Sequence, residues 1–180
     1  MRQTTAGYWK ANPRTEIFGI NRVFDIMLYF QRILSMYTTW NWIGITVYAT
    51  GITEIVPYLR WNSLLILIGS LVSILITEGY PFADVLKRVT GMEIPGSVAW
   101  ILDAAIHLGP VLLLGLPTTG NGFVAAMLGL GAWYIPVRPH IQTVYTPTVR
   151  MEQYDRIIQI VLVIGLCIYG AMWKVQDTGK

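Results

Sequence analysis

The sequence is short of charge and has almost no cysteine. Of its 180 residues only 13% are Asp, Glu, Lys or Arg, about half the roughly 25% that a soluble domain carries. That shortage excludes an ordinary cytosolic enzyme, a coiled coil and a disordered chain. The single cysteine, Cys167, cannot close an internal disulfide, so no cross-link helps to hold the fold. The chain contains no G-x-x-x-x-G-K-S/T, no H-E-x-x-H, no G-x-S-x-G, no C-x-x-C and no G-x-G-x-x-G after a strand. The common phosphate cradle, zinc helix, nucleophile elbow and redox pair are therefore missing, which argues against soluble catalysis. Basic runs interleaved with aromatics are absent too, so nucleic acid is not an expected partner. Residues 1–16 carry Arg2, Lys10, Arg14 and Glu16 where a signal peptide would have a short apolar core. No repeat of 20–50 residues is visible.

What is present is apolar. Hydrophobic residues make up 54% of the chain and the mean hydropathy is +0.51. The expected fold is an all-α, polytopic transmembrane helix bundle with an N-terminal amphipathic interfacial helix.

Residues 1–36 form a basic arm leading into that helix. Within the arm, Tyr8 and Trp9 stand beside Lys10, a cluster suited to a headgroup boundary or to a groove on a partner. Over 17–34, Ile20, Val23, Phe24, Met27, Leu28 and Leu34 share one helical face, and Asn21, Arg22, Asp25, Tyr29 and Arg32 the other. Mid-segment arginines are costly in hydrocarbon, so this helix is expected to lie in the interface plane; packing on a soluble partner is the alternative.

Five later stretches approach the ~20 apolar residues a span requires: 37–57, 63–77, 98–116, 122–137 and 157–173. A turn is expected at Leu59-Arg60-Trp61-Asn62. A short link at 117–121 makes the third and fourth stretches an antiparallel hairpin, and 175–180 forms a polar tail. The polar segments 78–97 and 138–156 separate the others.

With five spans, the N-terminal segment and those two long loops share one side. They hold ten of the 13 Lys and Arg residues; Arg60, Lys174 and Lys180 fall opposite. This bias places the N-terminus on the positive, cytoplasmic-like side and the C-terminus across the membrane. A four-span arrangement, with the first stretch re-entrant around Glu54, is the main competitor. Glu54 and Glu78 close the first two spans and lie near opposite faces.

Asp103 and His107 stand four apart within the third span and share a helix face with Pro110. An ionisable pair inside a span suggests a proton relay or half of a metal site; the alternative is a hydrogen-bonded pair that fixes helix packing. The only other histidine, His140, lies in a loop, so no metal and no cofactor is expected. In the fourth span Gly122 and Ala126, and Ala125 and Gly129, make small-xxx-small pairs that permit close helix approach. The 138–156 loop, with Pro139 and Pro147 and the basic Arg138, reads as an extended strip long enough to lie along a partner.

In style, the whole chain resembles the small multi-pass membrane proteins of large icosahedral double-stranded DNA viruses. The likeness rests on the Gly7-Tyr8-Trp9-Lys10 arm, four or five short spans and the helix Ile101-Leu102-Asp103-Ala104-Ala105-Ile106-His107-Leu108-Gly109-Pro110. It implies a minor capsid or membrane-anchoring role without enzymatic activity. Two functions lead: a structural or accessory subunit of a larger membrane assembly, partnered by the bilayer and by other subunits, or a small oligomeric transporter or channel using Asp103 and His107. A membrane-embedded enzyme stands third.

Overall fold

The computed structural model describes residues 33–77, 81–90, 93–144 and 149–178. Among them there is no strand; the chain is a bundle of helices. These are α1 (Tyr37–Ala49), α2 (Val56–Ile76), α3 (Pro81–Thr90), α4 (Gly96–His107), α5 (Gly109–Leu114), α6 (Phe123–Val137), α7 (Ile141–Val144) and α8 (Met151–Thr178), with a 3-10 turn, Arg138–His140, before α7. Tyr8, Trp9, Lys10, Pro147, Glu78 and residues 17–32 of the expected interfacial helix lie outside the described residues.

Three segments are long and apolar enough to cross a membrane: Val56–Ile76, Gly96–Leu114 and Met151–Lys174. The two other apolar helices are short. At a rise of about 1.5 Å per residue, α1, with 13 residues, reaches about 20 Å. The 15 residues of α6 reach about 22 Å. Both fall short of a hydrocarbon core of about 30 Å. In sequence α1 looks longer because 50–57 stays mostly apolar, but the helix stops at Ala49 and Gly51 takes φ 99°, a left-handed value that glycine adopts without strain.

The outside of the bundle is apolar. Leu75 is 84% exposed, Leu112 and Ile135 74%, Leu128 69% and Ile101 68%. Such a surface would be a liability in water and suits lipid tails. With the three long helices it is compatible with a multi-pass integral membrane protein.

At the centre stands α2, which packs against α1, α4, α5, α6 and α8. Its contacts give each neighbour's direction. Gly44 of α1 meets Leu59, and Asn41 meets Ser63, so α1 is antiparallel. Gly165 of α8 meets Leu65, Val161 meets Gly69, and Gln153 lies by Ile76, so α8 is antiparallel as well. Asp103 meets Ser70 and Leu114 meets Arg60, which makes α4–α5 antiparallel. Gly122, just before α6, lies on Pro57, and Phe123 on Trp61, so α6 runs parallel to α2. The links 50–55 and 115–122 therefore share one end of the bundle. Residues 33–36, α3 and residues 138–144 share the other.

Three expectations need correction. Leu59-Arg60-Trp61-Asn62 is not a turn; it lies inside α2. Each of its polar side chains finds a partner on a neighbouring element, which removes the reason to leave the helix. Arg60 Nε donates to the Leu114 carbonyl (2.7 Å) and Trp61 Nε1 to the Thr119 carbonyl (2.9 Å). Pro57 sits in the first turn, where its missing N–H is no loss. The 78–97 segment is not merely a polar loop, because Pro81–Thr90 forms the helix α3. Lys87 and Glu93 pair across its end, and that hydrogen bond holds the exposed Glu93 carboxyl below the usual carboxylate range. The 138–156 segment is also less extended than its prolines suggest. Pro139 occupies the first turn of the 3-10 element, where proline fits, and α8 begins at Met151.

Candidate functional site

Two groups of polar side chains lie inside the bundle, and both are held by α2. The first sits between α1 and α2. Tyr37 donates from its hydroxyl to Asn62 Oδ1, Asn62 Nδ2 donates to Asn41 Oδ1 (2.8 Å), and Asn41 Nδ2 donates to Ser63 Oγ (3.0 Å). Asn41, Asn62 and Ser63 are all fully buried. An amide in hydrocarbon is expensive unless its donors and acceptors are met. Here each amide supplies what the other lacks, so the chain of bonds fixes the rotation of α1 on α2.

The second group joins α4 to α2. His107 Nδ1 lies 2.6 Å from Asp103 Oδ1 and 3.0 Å from the Asp103 carbonyl oxygen. Acceptors on both contacts put the proton on Nδ1, which leaves Nε2 as the second ring nitrogen. Ser70 Oγ approaches Asp103 Oδ2 at 3.5 Å, the outer limit of a hydrogen bond. Phe82 of α3 meets the His107 ring edge-on at 5.9 Å between centroids. Asp103, His107 and Ser70 form part of the wall of a cavity of about 170 Å³ lined by residues of α1, α2, α3, α4, α6 and α8 and by Ile141 of α7. The rest of its wall is mostly apolar, Leu65, Ile157 and Val161 included, with the hydroxyl-bearing Tyr37, Thr38, Ser73 and Tyr154 among it.

The small residues of α6 divide. At Gly122 φ is 84°, and a Cβ there would lie 2.4 Å from the Pro57 carbonyl carbon. Ala126 is fully buried, and Gly129 lies against the Tyr58 and Tyr37 hydroxyls, whereas Ala125 faces outward. Gly122, Ala126 and Gly129 thus form the seam that α6 presents to α2 and α1. Arg138 sits at the far end of α6, where it forks onto Asp155 of α8 at 2.8 and 2.7 Å; the Tyr134 hydroxyl donates to the same carboxylate. Pro139 beside it is exposed.

Sequence reasoning overlooked Tyr37, Asn41, Asn62, Ser63 and Ser70. Asparagines inside apolar stretches were a usable signal, since each must find a partner. Which partner it finds depends on pairings more than 20 residues apart. Among the described residues, no group of three or more His, Cys, Asp and Glu side chains could hold a metal ion.

No known protein family, curated protein or solved structure matches the chain.

Proposed function

We propose that this protein is a non-enzymatic, multi-pass membrane subunit that anchors or scaffolds a larger membrane-bound assembly. A capsid-lined inner membrane is one setting that the sequence resemblance suggests. One observation carries the reading: the polar side chains inside the bundle are spent on tying helix to helix. The Asn41–Asn62–Ser63–Tyr37 chain and the bonds of Arg60 and Trp61 to the 114–119 backbone do this, and Ser70 adds a weak link from α2 to Asp103. Side chains used this way make a rigid body rather than an open path. In this reading five segments cross, with α1 and α6 as short crossings, and the N-terminus lies on the positive side.

Mild extraction of the native protein followed by sizing tests the proposal. Co-migration with other proteins in one large, fixed complex is expected. A small homo-oligomer alone would overturn it.

The second reading, a transporter or channel, draws on a separate observation, the exposure of Asp103 and His107 to the cavity. A proton-carrying pair must change charge, which Asn and Gln cannot do near neutral pH. Asp103→Asn with His107→Gln would then abolish a flux seen in reconstituted wild type. We expect no flux in either protein and a folded double variant.

A further inference from the structure

The cavity has a chemical polarity of its own, whatever assembly the protein joins. At about 170 Å³ it is close to an engineered apolar cavity of about 150 Å³ that accepts benzene. It is therefore large enough for one ring or a short branched chain. Most of its wall is aliphatic or aromatic, and the carboxylate lies on one side only.

The two oxygens of that carboxylate are not equally engaged. Oδ1 is held by His107 at 2.6 Å, whereas among the described residues Oδ2 has only Ser70, at 3.5 Å. A carboxylate oxygen has lone pairs for more than one donor and gains most from a charged one. Oδ2 is thus an acceptor with unused capacity beside an apolar space. Around it, the nearest ionisable neighbour among the described lining residues is His107. No lysine or arginine is among the described residues of the wall. Ser73, one turn after Ser70 on α2, adds a second hydroxyl to the same wall.

We propose that this cavity binds a small cationic amphiphile: a primary amine whose ammonium donates to Asp103 Oδ2 and whose apolar body, about one ring in size, lies against Leu65, Ile157 and Val161. The ammonium supplies the charge that the wall lacks, and the body displaces nothing that needs hydrogen bonds. An anionic head of the same shape would meet the carboxylate at close range and be rejected. A body without a head would leave Oδ2 as loosely held as before.

Gly69 offers a way to close the site without touching its polar wall. It lines the cavity, and a Cβ there would meet only Val161, at an ordinary 3.6 Å. A leucine at 69 would extend into the space that the ring is to occupy.

The test is equilibrium dialysis of benzylamine, toluene and benzoate against the full-length protein in a mild detergent, with empty micelles as the blank. One saturable benzylamine site per chain is expected, at least tenfold tighter than toluene, with no competition from benzoate. That ratio is what one charge-assisted hydrogen bond provides. Gly69→Leu should remove the saturable site, and Asp103→Asn should bring benzylamine down to the affinity of toluene. If Asp103→Asn does not fold, Gly69→Leu and the comparison of the three ligands decide alone. Equal binding of toluene and benzylamine, unchanged binding in Gly69→Leu, or no saturable component would each overturn the assignment.

Discussion

Single side chains show how little tolerance the centre of the bundle has. Asn62 is fully buried and holds two partners at once, Tyr37 and Asn41. Replacing it with leucine takes one bond from the Tyr37 hydroxyl and leaves the Asn41 amide oxygen without its donor. Bonds inside membrane bundles average ~0.6 kcal/mol, but orphaned buried groups cost about 1–3 kcal/mol each. Asn62→Leu is therefore expected to lower stability by about 1–3 kcal/mol in unfolding by a denaturing detergent. A change lost in experimental error would mean that the network does not hold α1 in place. Two glycines should respond in opposite ways. Gly122→Ala forces a side chain into a left-handed backbone and onto the Pro57 carbonyl, 2.4 Å away, at a cost above about 1–2 kcal/mol from the backbone alone. Gly69→Ala meets only ordinary contact and stiffens a helix interior, so it should be neutral or stabilise by about 0.5–1 kcal/mol. The spacing that makes Asp103 and His107 neighbours is plain in the sequence. The reason for Gly122 is not, because it lies in a backbone 65 residues earlier in the chain, at Pro57.

At the scale of elements, the break between α4 and α5 has a specific repair. Pro110 has no N–H to give to the carbonyl of Ile106, four residues back, and an orphan carbonyl in lipid is costly. Trp42 of α1 fills the gap: its indole Nε1 donates to the Ile106 carbonyl at 3.2 Å while its ring lies against Gly109. A double-mutant cycle isolates this bond. Trp42→Phe should cost about 1 kcal/mol in the parent. It should cost less by about 0.5 kcal/mol or more with Pro110→Ala, whose restored N–H serves the carbonyl itself. Equal costs in both backgrounds would show that Trp42 contributes packing alone. The Lys87–Glu93 pair at the end of α3 belongs to the weak kind. Its lowered carboxyl means that any contribution is present at neutral pH and fades as acid protonates Glu93. Exposed pairs rarely stabilise measurably, so Glu93→Gln should leave the unfolding midpoint at pH 7 unchanged. The apolar runs were legible as helices because their composition leaves no other way to satisfy a backbone in lipid. The continuation of α2 through Arg60, Trp61 and Asn62 was not, since three polar or bulky residues resemble a turn until their partners on α1 and the 114–119 stretch are known.

For the whole molecule, the alternation of helix directions puts residue 33 and residue 178 at opposite ends of the bundle. If the short helices cross as proposed, tags before Met1 and after Lys180 should report different compartments in protease protection. Both tags on one side would remove five crossings. The central place of α2 also sets a timetable for synthesis. Its last wall, α8, brings Gly165 to Leu65 across a hundred residues of later chain. At about 5–20 residues per second, α2 waits several seconds in the ribosome-bound chain with one flank uncovered. A nascent protein halted before Met151 would hold every other described helix and still present that bare flank to the quality-control machinery. Ribosome stalling in the 145–150 region should therefore yield a product cleared faster than one released at full length.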